Sequence, residues 1–60
     1  MTPKQYVDQS LTFIDSENCK AWVNCDQNRP IFEQAASIAI KNDRNIHVFT
    51  TWILCEYIGL

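Results

Sequence analysis

This 60-residue chain shows no evident covalent or metal staple. Its three cysteines, Cys19, Cys25 and Cys55, cannot all pair. No basic start followed by an apolar run precedes them, so a cytoplasmic protein with reduced thiols is expected. With His47 they make four residues of zinc-ligand type, but structural zinc sites favour ligands two to four residues apart, and the chain has no Cys-x-x-Cys pair. Neither a metal nor a cofactor is expected.

Basic residues are scarce as well. Lys4, Lys20, Arg29, Lys41 and Arg44 are scattered among seven acidic residues, which leaves a net charge of -2 and a pI near 5.0. A nucleic-acid binder needs a basic stripe to neutralise phosphates, so no direct contact with nucleic acid is expected. The charge is uneven: residues 1–27 carry all of the -2, and residues 28–60 sum to zero. Arg29 and Arg44 fall in turns and are expected to be solvated.

A catalytic constellation is missing too. His47 could partner Asp43 or a cysteine, but nothing in the spacing fixes such a pair, and a chain this short leaves little room for a substrate pocket. Asp15 and Glu17 read as favourable charge at a helix N-terminus. The chain is therefore taken as a non-enzyme. Its most apolar stretch, Asn45 to Leu60, is too short to cross a membrane: thirteen helical residues reach about 20 Å against a hydrocarbon core of about 30 Å, and Glu56 interrupts them. Repeats, low-complexity tracts and linkers are absent, so residues 1–60 form one domain.

What the sequence does contain is helical periodicity. Thr2 as N-cap, Pro3 at the first helical position and Gln5 three residues after the cap predict a helix from Pro3 to about Asp15, with Val7, Leu11 and Ile14 inward and Tyr6 and Phe13 alongside. Asp15 to Asn18 offers new caps, and Cys19, Trp22 and Val23 form the apolar patch of a second helix over Glu17 to Cys25. Asp26 to Pro30 is a break. Pro30 to Lys41 then carries so wide an apolar arc, with three alanines, that a central helix packed on two sides is expected. Asn42 to Asn45 reads as a turn with Asn42 as the left-handed cap. Ile46 to Ile58 is a fourth helix: alternation fails from Trp52 onward, and no second strand exists to pair with it. Ile46, Phe49, Ile53, Tyr57 and Leu60 share one of its faces, Val48, Trp52 and Cys55 an adjoining one, and His47, Thr50 and Thr51 the only polar strip.

The expected fold is all-α, a small bundle of three to four short helices. Its C-terminal antiparallel helical hairpin forms the platform for the N-terminal helices. A domain of this size buries only about 60% of the surface its unfolded chain exposes, and with no staple, further stability is expected from self-association or a partner. The aromatic load points the same way, because tryptophan and tyrosine dominate interface hot spots. Phe13, Phe32 and Phe49 are assigned to the core; Trp52, Tyr57, Val48, Cys55 and Trp22 are the expected partner-binding residues.

These features suggest a non-enzymatic protein-protein interaction module, a small modulator or inhibitor of a larger cytosolic protein, acting through the apolar C-terminal helix. Homodimerisation through the same surface is a further expectation, and so compact an acidic chain would suit a phage product. The alternative is a small helix-turn-helix DNA-associated regulator. A recognition helix should, however, carry several basic or amide side chains on one exposed face, and neither of the last two helices does.

Overall fold

A computed structural model describes residues 1–59; Leu60, assigned above to a helix face, lies outside the described residues. The described chain forms four helices: α1 (Pro3–Leu11), α2 (Glu17–Asn24), α3 (Arg29–Lys41) and α4 (Ile46–Ile58). None of them is long and apolar enough to cross a membrane.

Local capping explains most of the helix starts. The Thr2 hydroxyl accepts from the Gln5 amide at 3.1 Å while the Gln5 side chain accepts from the Thr2 amide at 3.0 Å, closing the anticipated capping box. Ser16 opens α2 by accepting from the Cys19 amide at 3.2 Å, and Asn45 opens α4 by accepting from the His47 amide at 2.7 Å. Pro30 lies in the first turn of α3, where its missing amide leaves no bond unmade.

α1 is shorter than the periodicity predicts. After Leu11 the amides of Thr12, Phe13 and Ile14 bond back to carbonyls only three residues earlier. This tighter winding advances the side chains faster around the axis. Ile14 turns into the core, and Phe13, expected there, is left 45% exposed with its ring 4.6 Å from that of His47.

The turn between α3 and α4 also differs from expectation. Asp43, not Asn42, takes the left-handed conformation, at φ 52°. The Arg44 amide donates to the Ala39 carbonyl at 2.8 Å and the Asp43 amide to that of Ile40 at 3.1 Å, the paired bonds of a helix stop displaced by one residue.

The core draws on all four helices, with Val7, Cys19, Val23, Ala36 and Ile53 fully enclosed. α1 is the helix whose backbone comes closest to α3, whose buried face carries the small Ala36 and Ala39. The second side of α3 is not covered: Ile31 and Ile38 are 58% and 57% exposed, so the two-sided packing expected of this helix is not found. Thr50, expected on the polar strip of α4, is buried; its hydroxyl donates to the Ile46 carbonyl at 2.8 Å, which removes the cost of enclosing it. Ser10 is accommodated in the same way through the Val7 carbonyl at 2.7 Å.

Arg29 is not solvated. Its guanidinium donates from Nε to Glu33 at 2.7 Å, from Nη1 to Asn24 at 2.6 Å, and from Nη2 to Asp8 at 2.7 Å and the Lys4 carbonyl at 3.2 Å. One side chain thereby ties α1, α2 and α3 together, because a planar fork can satisfy several acceptors at once. On the opposite side, the Tyr6 hydroxyl donates to the Arg44 carbonyl at 2.9 Å and fastens the α3–α4 turn to α1.

Candidate functional site

Six of the seven aromatic residues touch in series. Tyr6 meets Phe49 with centroids 5.0 Å apart, Phe49 meets Trp52 at 5.7 Å, and Trp52 meets Phe32, Phe32 meets Trp22 and Trp22 meets Tyr57, each at 5.4 Å. Edge-to-face and tilted contacts of this kind are favourable beyond the area they bury. The aromatic surplus that suggested an interface is thus largely employed within the chain. Trp52 and Tyr57 are 38% and 37% exposed, so the protein itself covers most of each ring.

The rings of Phe32, Phe49 and Trp52 stand between α3 and α4, whose backbones come less close to each other than those of α1 and α3. This spacing leaves a groove along the outer side of the pair, divided by Trp52 into two hollows. The larger encloses about 310 Å³ and is lined by Ala35, Ile38, Ala39, Arg44, Val48, Phe49 and Trp52. The smaller, about 140 Å³, lies between Trp22, Asn28, Ile31, Phe32, Trp52 and Glu56. The end of α3 thus meets the start of α4, and the start of α3 meets the end of α4, compatible with the expected antiparallel hairpin.

Of the five side chains expected to bind a partner, Val48 and Trp52 line the larger hollow, and Trp22 and Trp52 the smaller. Tyr57 lies off the groove, against Trp22. Cys55 is half-buried and lines neither hollow. Missed by sequence reasoning were Ile31, Ala35 and Ile38, the wall contributed by α3. Their spacing of four and three residues is a helical stripe beside the core stripe of Phe32, Ala36 and Ala39, and it could have been separated from it on that basis.

The groove is almost without charge. Arg44 borders the larger hollow and Glu56 the smaller, and among the described residues neither has an ion-pair partner. The titratable groups with clear shifts lie elsewhere: burial pushes the Cys19 thiol up, and burial, opposed by the charge of Arg44, raises the Tyr6 hydroxyl. Among the described residues no three His, Cys, Asp or Glu side chains gather where they could hold a metal. The arrangement offers apolar contact over the length of two helices, with one charge at each end. Comparison with protein-family models, curated protein sequences and solved structures finds no match.

Proposed function

We propose that this protein is a non-enzymatic interaction module, a small modulator or inhibitor of a larger protein, whose working surface is the α3–α4 groove. One observation carries the reading. Ile31, Ile38, Val48 and Trp52, from two neighbouring helices, are all exposed around two adjoining hollows that share Trp52, although the chain has enclosed other apolar side chains completely. Isolated exposed apolar residues are ordinary on protein surfaces, but a contiguous set across two helices marks a contact surface. The surface is wider than the C-terminal helix alone, because half of its wall belongs to α3.

Site-specific photo-cross-linking tests this reading. A photoreactive side chain in place of Ile38 or Val48, in cells that express the protein, should yield covalent adducts. The same group in place of Gln9 or Gln27, exposed residues outside the groove, should not. Adducts from all four positions alike, or from none, would refute the assignment.

A further inference from the structure

Resting on that reading of the groove, we infer that the larger protein docks through an amphipathic α-helix. Two of its apolar side chains, one heptad apart, enter the two hollows, and flanking charges of opposite sign meet Arg44 and Glu56.

The spacing of the hollows selects a helix. Ile38 and Ala39 line the larger hollow, and Ile31 and Phe32, seven residues earlier on α3, line the smaller. Seven residues are two turns, so the hollows lie about 10.5 Å apart along the axis of α3. A helix laid in the groove brings anchors to one face at that same interval, i and i+7. A strand does not, because its same-face side chains recur at about 6.7 Å and again at about 13 Å, on either side of the required distance. Walls made of helices also offer no free backbone edge for an extended chain to join.

The walls themselves suit a third helix. Ile31, Ala35 and Ile38 follow at steps of four and three, the seam of a heptad, while Val48, Trp52 and Glu56 form a ridge of α4 at steps of four. A helix packs against such rows by setting its own rows between them. Ala35 is small enough to let it approach closely, and Trp52, shared by both hollows, stands between the two entering side chains. The hollows enclose about 310 Å³ and about 140 Å³, so the bulkier anchor belongs at the Arg44 end.

Charge fixes the register. Arg44 and Glu56 border different hollows, both are exposed, and among the described residues neither has an ion-pair partner. About three turns of helix, roughly 16 Å, separate them. The matching segment therefore carries a carboxylate and a cation about three turns apart, with the carboxylate beside the bulkier anchor. Pairs at the rim of an interface set register and partner choice more than affinity.

Mapping the cross-links of Ile31 and Ile38 on the partner is the test. With a photoreactive side chain at each position in turn, mass spectrometry of the digested adducts should find both attachment sites in one segment, about seven residues apart. Arg44→Glu or Glu56→Lys should lower the adduct yield from Ile38 about three- to tenfold. Lys41→Glu, a charge reversal outside both hollows, should leave it unchanged. All three side chains are exposed, so the far-UV circular dichroism spectrum of each variant should match wild type. Attachment sites about three residues apart, the interval of an extended chain, or sites in separate segments would overturn the inference. So would adducts from Ile38 without adducts from Ile31, or a yield indifferent to either groove charge. Each of those results leaves the docking surface standing, because Ile38 still cross-links, whereas no adducts from Ile38 and Val48 would remove the surface and the helix together.

Discussion

Replacing Arg29 by methionine should cost this domain a large fraction of its stability. Methionine keeps much of the apolar stem and removes the guanidinium, leaving Glu33, Asn24, Asp8 and the Lys4 carbonyl without their donor. The loss is smaller than four bonds suggest, because the Asp8 side chain is 56% exposed and water can replace what it loses. The Arg29 side chain is only 17% exposed, and its contacts span three helices. A net loss of about 2 kcal/mol follows, in the range for hydrogen bonds to charged groups and well below the value for a fully buried pair. Sixty residues at about 0.05–0.15 kcal/mol each give about 3–9 kcal/mol in total. The unfolding entropy of a chain this size makes each kcal/mol worth about 8 °C in Tm, so the variant should melt about 15 °C lower. Thermal unfolding followed by far-UV circular dichroism reads this directly. Arg29→Lys, which keeps the charge without the fork, should recover less than half of the loss. A melting point for Arg29→Met within about 4 °C of wild type would show that hydration of the freed partners offsets the whole network.

Asp43→Gly should stabilise the protein by about 0.5–1 kcal/mol in urea titration, since glycine occupies the left-handed region at φ 52° without steric cost; a loss would mean the Asp43 side chain holds the turn. Ile53, fully enclosed, should tolerate valine at about 0.5–1.5 kcal/mol, while alanine should cost about 2–5 kcal/mol and approach complete unfolding at 37 °C; equal effects of the two would argue against close packing there. Tyr6 and Cys19 are neutral when protonated, and burial raises both above their ordinary values of 10.0 and 9.0, for Tyr6 against the opposing charge of Arg44. The unfolded chain therefore releases these protons first, so their contribution is complete below about pH 9 and is lost as pH climbs through the folded values. The urea midpoint should fall above pH 9, less steeply in a Tyr6→Phe, Cys19→Ala double variant, and a wild-type midpoint constant to pH 11 would contradict the burial of both groups.

Much of this architecture is legible in the sequence because its signals are local. The box of Thr2 and Gln5, the caps before α2 and the Pro30 break each act within one turn of helix, and each lies where it was read. Features that depend on distant partners were not legible in this way. The environment of Arg29 is completed by Lys4 and Asp8, 25 and 21 residues away in sequence, and nothing in the turn itself announces them. Phe13 left the core because α1 tightens its last turn, a change of a few tens of degrees that a fixed helical period cannot register. The groove was half legible. Val48 and Trp52 stood out on α4, but Ile31 and Ile38 merged with the core stripe of α3, because periodicity shows which residues share a face without showing which face is covered.

The series of touching rings makes the protein its own optical probe. Both indoles abut Phe32 and border the groove, and each tyrosine lies close enough to pass its excitation to one of them, Tyr57 directly and Tyr6 across Phe49. Emission under ultraviolet light should therefore come almost wholly from the two tryptophans. Trp52, the more open of them, should shift toward shorter wavelength when anything displaces water from the groove, so occupancy can be followed without a label.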